Sequence, residues 1–107
     1  DVSQVAREAG FKFPVALTSH ANAAITPSEA DERRLFQSYS GRLWDVLSMA
    51  RFAAQANPRA SRVSYLVIVD QINADNRRVK PRLTLVMDVG PGDAGEPVIT
   101  IGFAEDF

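Results

Sequence analysis

The clearest hydrophobic pattern in the chain is an apolar stripe that recurs at three- and four-residue steps between Ser40 and Asn57. Such spacing places apolar side chains on one side of an α-helix, and the residues concerned are Leu43, Val46, Leu47, Ala50, Ala53 and Ala54. Ser40 is a residue type that caps a helix start, and Asn57 followed by Pro58 marks the end. The pattern predicts one long amphipathic helix over residues 40–56.

Phe52 does not belong to this stripe. At about 100° per residue it points nearly opposite the stripe, while Met49 and Trp44 flank it. We expect the helix to pack on two sides, with the sheet on one and the N-terminal helices on the other. The alternative is that Phe52 and Met49 belong to a surface that binds a partner.

Three later segments have the composition of β-strands. Residues 62–72 are rich in β-branched and aromatic side chains and apolar on both faces, residues 79–89 alternate between apolar and polar, and residues 97–103 form a last strand. Turn-forming residues separate the three segments. Because helical segments come first and strands follow, the sequence predicts an α+β fold. In it, the long helix packs on a three-stranded antiparallel β-meander.

The first 39 residues predict short helices joined by an extended piece. Ser3 is expected to cap the first helix and Gly10 to end it. Pro14 excludes a central strand, so its segment is an edge strand or a linker. Residues before Thr26 suit one or two helical turns. Thr26 itself is expected to cap a further helix, with Glu29 completing a capping box.

Length and composition describe one domain, residues 1–107. The hydrophobic content of 46% is ordinary for a soluble globular domain. The chain has no cysteine, which excludes disulfides, thiolate nucleophiles and Cys-ligated zinc. No apolar run approaches the ~18–20 residues of a membrane span, so we expect no membrane contact.

Charge is distributed unevenly, although the net charge is only −1. Residues 59–82 carry six basic and two acidic groups, whereas residues 83–107 carry five acidic groups and no basic one. The basic residues cluster at a predicted hairpin, where alternation would place three of them on one face; the cluster is Arg77, Arg78, Lys80 and Arg82. We interpret it as a charged strand edge. Binding of nucleic-acid phosphates or of an acidic protein surface are the alternatives.

The acidic end begins with glycines that fit the dinucleotide-binding pattern G-x-G-x-x-G, namely Gly90, Gly92 and Gly95. That pattern needs a helix after it to hold the pyrophosphate. A β-branched strand follows here instead, so we predict a hairpin turn and no cofactor. Three carboxylates lie in or near this turn, namely Asp88, Asp93 and Glu96. They could coordinate Mg²⁺ or Ca²⁺ if the turn brought them together, but their spacing matches no calcium-binding loop. We therefore favour a solvated acidic loop.

His20 is the one histidine of the chain and follows Ser19. Adjacent serine and histidine do not by themselves align a hydroxyl with an imidazole, and no third orienting group can be named. One histidine without cysteine is also a poor basis for a transition-metal site. We therefore favour a surface or capping role for His20 over a catalytic one.

Three stretches, DVSQVAREAGFKFPVALT, SGRLWDVLSMARFAA and GPGDAGEPVITI, resemble an uncharacterised family of small proteins encoded by bacteriophages, plasmids and integrative elements. Members usually carry a further segment ahead of the first stretch, which implies a short member or a trimmed chain. Residues 19–40 depart from the family, because SHANAAI replaces a tryptophan-containing helix. The family has no established catalytic residues, so none is transferred.

The resemblance implies a cytoplasmic protein of the bacterial host cell that acts stoichiometrically. The leading hypothesis is a non-enzymatic binding protein that blocks a host protein or nucleoprotein complex, for example as an anti-CRISPR-like counter-defence inhibitor. Its candidate contacts are the basic cluster, the acidic cluster and Phe52. Direct nucleic-acid binding through the basic hairpin is the second hypothesis, and a small enzyme with a site around His20 is the third.

Overall fold

A computed structural model describes residues 1–107 and contains both helices and strands. The helices are α1 (Ser3–Glu8), α2 (Ser19–Ile25), α3 (Glu29–Leu35) and α4 (Tyr39–Ala56). The strands are β1 (Val15–Leu17), β2 (Arg62–Ile68), β3 (Gln71–Ile72), β4 (Arg78–Val79), β5 (Arg82–Pro91) and β6 (Pro97–Gly102). A 3₁₀ turn, Ala104–Asp106, ends the chain. The predicted α+β fold is confirmed.

The main sheet has four strands in the order β1-β6-β5-β2. Strands β2, β5 and β6 form the predicted antiparallel meander, and β1 extends it by pairing parallel to β6. Pro14 is compatible with this because it precedes β1, and its carbonyl accepts a hydrogen bond of 2.9 Å from the Ile99 N–H. The sheet is therefore mixed, with β1 and β2 at its edges.

The segment predicted as one strand over residues 62–72 is divided in two. Strand β2 ends at Ile68, and Gln71–Ile72 pairs with β4 in a separate two-stranded sheet. Contacts from outside the sheet hold the chain at the point of division. The Asp70 carbonyl accepts a hydrogen bond of 2.6 Å from Arg42, and the Ile72 N–H donates one of 2.7 Å to Asp31. These bonds direct the chain away from the β5 ladder.

Helix α4 packs its apolar stripe on one face of the sheet, as predicted. The stripe residues Leu43, Val46, Leu47 and Ala50 are buried. They belong to one cluster with the inward-facing residues of the strands, including Val63, Tyr65, Val67, Leu85, Met87, Ile99 and Ile101. The Tyr65 hydroxyl also donates to the Val46 carbonyl at 3.2 Å, and burial raises the pKa of this tyrosine.

The predicted packing of α4 on two sides is wrong. Phe52 is 65% exposed, and Met49 and Trp44 are also exposed. Helix α1 packs beside β1, and α2 packs beside β6 and α4. The N-terminal helices therefore flank the sheet and leave the outer side of α4 open to solvent.

Two helix starts differ from the sequence prediction. Ser38, and not Ser40, caps α4, and Ser28, and not Thr26, caps α3. In α3 the capping box is completed by Asp31, whose carboxylate accepts a hydrogen bond from the Ser28 N–H at 3.0 Å while its own N–H donates to the Ser28 hydroxyl. Each segment offers two candidate caps two positions apart, and a sequence pattern alone does not distinguish them.

The first helix also begins differently. Val2 occupies the N-cap position of α1, and the Ser3 hydroxyl instead accepts a hydrogen bond of 3.1 Å from the Val15 N–H of β1. Gly10 ends the helix with a φ of 104°, the left-handed conformation predicted for it. The Arg51 guanidinium occupies the space where a Cβ at Gly10 would lie and donates to the Ala9 carbonyl at 2.9 Å.

A buried ion pair connects the helices to the strands. Arg42 and Asp31 are each about 4% exposed, and their side chains meet at 3.0 Å. Burial alone would raise the pKa of Asp31, but hydrogen bonds from the Ile72 and Ser28 N–H groups and from Arg42 outweigh it and lower that pKa. The Asp31 carboxylate is therefore charged at neutral pH, and the positive charge of Arg42 balances it.

We expect Arg42→Met to lower the free energy of unfolding by about 3 kcal/mol, because it leaves the Asp31 charge buried without its partner. Urea denaturation followed by circular dichroism measures the change. The control is Arg33→Met, which removes an exposed pair with Glu29 at 3.9 Å and should cost at most about 0.5 kcal/mol. Equal losses in the two variants would contradict this role for Arg42.

Candidate functional site

The basic cluster does not form the single row that alternation predicted. Lys80 and Pro81 separate β4 from β5, so Arg78 and Arg82 lie in different sheets. Arg78 forms a two-pronged ion pair with Asp70, with distances of 2.9 and 2.7 Å. The hydrogen bond from Arg78 lowers the pKa of Asp70. The positive charge of Arg78 is thus neutralised locally.

The remaining cations of the hairpin are exposed and gain a neighbour from α3. Arg77 and Lys80 lie at the surface beside the hairpin turn. Arg34 of α3 reaches that turn and donates to Asn76 Oδ1 at 2.6 Å. Sequence reasoning missed Arg34 because it is far from the hairpin along the chain. The basic surface therefore consists of Arg34, Arg77 and Lys80.

The acidic residues surround an open cavity of about 510 Å³ at the other end of the sheet. Its carboxylates are Asp88, Asp93 and Glu96. Asp88 is paired with Arg62 at 3.0 Å, and Glu96 accepts a hydrogen bond from the Ala94 N–H of its own turn. The structure contains no group of three or more histidine and carboxylate side chains arranged to hold a metal ion.

The glycine-rich segment forms the tip of the β5–β6 hairpin, as predicted. The Gly92 N–H donates to the Glu96 carbonyl at 2.6 Å, and the Gly95 N–H donates back to the Gly92 carbonyl. Gly95 has a φ of 84°, which side-chain-bearing residues rarely adopt. Gly92 and Gly95 therefore serve the turn geometry, whereas Gly90 lies in β5 opposite Val98.

His20 contacts carboxylates of the C-terminal turn. Its Nδ1 lies 3.1 Å from Asp106 Oδ1, and its ring centroid lies 4.3 Å from that of Phe103. The Thr18 hydroxyl donates to the other oxygen of Asp106 at 2.7 Å. The carboxylate thus lies between hydroxyl and imidazole, which is not the order needed to activate a nucleophile. The contacts of Asp106 with Thr18 and His20 hold the C-terminal turn against the start of α2.

We expect Asp106→Asn to lower the thermal midpoint by a few degrees at pH 7 and to match the wild type at acidic pH. The hydrogen bond from Thr18 is the main cause that lowers the pKa of Asp106, so the carboxylate stabilises the fold above about pH 3.9, the ordinary value. That contribution is lost as pH falls through the lowered pKa. Thermal denaturation at both pH values measures it. The control is Asp93→Asn, because Asp93 is exposed. If the thermal midpoints of Asp106→Asn and the wild type differed by the same amount at acidic pH, the stabilising role of the Asp106 carboxylate would be contradicted.

An apolar groove lies between α4 and the outer edge of β2. We name it the α4–β2 groove; it has a volume of about 440 Å³ and is lined by Asp45, Ser48, Met49, Leu66, Val67, Ile68 and Arg82. Leu66 and Ile68 are 50% and 59% exposed on the sheet face opposite α4. Phe52 follows Met49 by three positions and extends the same side of the helix.

Of the predicted contacts, the α4–β2 groove contains Arg82 and adjoins Phe52. Leu66 and Ile68 were missed, although a signal for them exists. The β2 segment is apolar on both faces, a pattern typical of a strand that is covered on both sides. Helix α4 covers only one face, so the second row of apolar side chains remains exposed.

Residues 4–107 match a family described as a family of unknown function, DUF6573. The chain belongs to this family. No curated protein and no solved structure matches it. No helix in this DUF6573 member combines the length and the hydrophobicity needed to cross a membrane. The family match includes α4 and β2, so the α4–β2 groove lies within the domain that defines DUF6573.

Proposed function

We propose that this DUF6573 member is a non-enzymatic binding protein and that the α4–β2 groove is its contact surface for another protein. The observation that carries the proposal is that Met49, Leu66 and Ile68 are exposed and line one groove between two adjacent elements. Single exposed apolar residues are normal in soluble proteins. A contiguous apolar patch bordered by charged residues is typical of an interaction site.

The proposal extends to the biological setting. We propose that the chain is encoded by a phage or another mobile element and acts in the cytoplasm of the bacterial host. There it would block a host protein or nucleoprotein complex, for example as an anti-CRISPR-like counter-defence inhibitor. The resemblance of the GRLWDVL and GPGDAGEPVITI stretches to small proteins of mobile elements supports this setting.

We expect the double variant Leu66→Lys, Ile68→Lys to reduce capture of a host protein by at least about tenfold, because two charges would have to be buried at the interface. The measurement is affinity capture from bacterial lysate on the immobilised chain, quantified by mass spectrometry. Phe36→Lys is the matched control, since Phe36 is 89% exposed and lies outside the α4–β2 groove. Equal capture by wild type and double variant would contradict the proposed surface.

Nucleic-acid binding is a second candidate, supported by the way Arg34 joins Arg77 and Lys80 at one surface. Cations on a surface hairpin can contact phosphates without reading bases. The paired Arg78 contributes less to such a surface, because its charge is already balanced by Asp70. The surface offers three free cations, and its affinity would depend steeply on salt.

We expect the variant Arg77→Ala, Lys80→Ala to weaken any binding of DNA or RNA and to flatten its salt dependence, since each lost phosphate contact lowers the slope by about one. Fluorescence anisotropy with labelled oligonucleotides over a salt series measures both. The control is Arg7→Ala, an exposed cation on α1. Absence of binding by the wild type at ~50 mM salt would exclude this function.

A further inference from the structure

The outer edge of β2 carries unpaired backbone groups. At the two ends of the β2–β5 ladder, the Val89 N–H donates to the Ser61 carbonyl and the Val69 N–H donates to the Pro81 carbonyl. In the antiparallel register, these two bonds imply that the odd-numbered residues of β2 exchange backbone hydrogen bonds with β5. The N–H and C=O groups of Ser64, Leu66 and Ile68 therefore point away from β5, where no strand lies.

The opposite edge of the sheet is closed by the chain itself. The Val15 carbonyl of β1 accepts a hydrogen bond of 2.9 Å from the Val2 N–H, and the Val15 N–H donates to the Ser3 hydroxyl. Proteins commonly protect strand edges by such covering or by charges placed on the edge. The β2 edge has neither protection at Leu66 and Ile68.

We propose that the outer edge of β2 receives an extended segment of a partner protein as a fifth strand of the sheet. The inference rests on the proposed function and specifies how the α4–β2 groove would bind. Backbone hydrogen bonds to Ser64, Leu66 and Ile68 would hold the segment, and the α4–β2 groove would select its side chains. The segment is extended because only a strand can satisfy a row of edge groups at this spacing.

The charges at one end of the α4–β2 groove define the partner's chemistry further. Asp45 lies on α4, which packs against the inward face of β2, whereas Arg82 is in register with Ile68 and shares the opposite face. Both are exposed, and neither forms an ion pair. Successive side chains of a strand point to opposite faces. A complementary segment therefore carries adjacent basic and acidic residues beside Ile68, the basic one facing Asp45 and the acidic one facing Arg82.

The rest of the segment is expected to be apolar. On the α4 side it would cover Met49, which is 42% exposed. On the other side it would lie beside Leu66 and Ile68, whose exposed side chains form an aliphatic row. The ligand class is thus an extended peptide with aliphatic side chains facing both ways and a neighbouring pair of opposite charges at one end.

The probe is a random 12-residue peptide library displayed on phage and selected on the immobilised wild-type chain. We expect consecutive aliphatic residues with an adjacent basic and acidic pair to be enriched. A peptide synthesised from the enriched set is then measured by fluorescence polarisation against three variants. Ser64→Pro removes one outward N–H that β5 does not use, and proline is tolerated at such edge positions. Ser64→Ala is its control, and Leu66→Lys tests the side-chain contact.

We expect Ser64→Pro to weaken peptide binding at least about tenfold, Leu66→Lys to weaken it similarly, and Ser64→Ala to leave it within about twofold. Amide hydrogen exchange by NMR gives a second readout that does not depend on variants. In the complex, the amides of Ser64, Leu66 and Ile68 should exchange more slowly, while amides bonded to β5 change little. Unchanged exchange at these three amides in a saturated complex would overturn the proposal.

The remaining outcomes separate strand addition from protein binding in general. Loss of binding in Leu66→Lys with full binding in Ser64→Pro would overturn strand addition and leave the proposed function intact. Failure of the library to yield any binder would overturn this inference, whereas lysate capture tests the function separately. A dimer in sedimentation velocity without peptide, dissociated by Ser64→Pro, would also overturn it, because a second copy would then occupy the edge.

Discussion

The fold depends on the Arg42 guanidinium, which is buried and bonded on several sides. It donates to the Ile25 carbonyl at the end of α2, to the Asp31 carboxylate in α3 and to the Asp70 carbonyl after β2. A buried guanidinium is tolerated only when its donors are satisfied and its charge is paired. Arg42 therefore fixes three separate segments to α4, although α3 contributes little to the hydrophobic core.

The contacts of Arg42 and Asp31 also hold the chain just beyond the end of β2. Because Arg42 and Asp31 hold Asp70 and Ile72, the chain leaves the ladder after Val69 and turns into the small β3–β4 sheet. That sheet contacts α3 and does not continue along the outer side of β2. The interaction that orders the helices thus also holds the chain where it turns away from the β2–β5 ladder.

The sequence was informative wherever a local pattern determined the structure. The α4 stripe, the three antiparallel strands and the glycine-rich turn follow from periodicity and turn chemistry, and the structure confirms them. The role of Arg42 could not be predicted, because a polar residue beside Leu43 looks like a helix surface position until distant carbonyls surround it. The same limit applies to Leu66 and Ile68, since burial of a two-sided strand depends on whether a second layer covers it.

The linear charge pattern proved a weaker guide to surfaces than the apolar pattern. The basic part of the sequence is partly neutralised in space, because Arg62 pairs with Asp88 of the acidic part and Arg78 pairs with Asp70 of its own part. Each such pair neutralises a charge that the linear pattern counts as available to a partner. The apolar residues of the α4–β2 groove have no comparable internal partner, and covering them would release water from their surface. In the proposed complex, the apolar groove would therefore supply most of the driving force, and Asp45 and Arg82 would contribute orientation more than affinity.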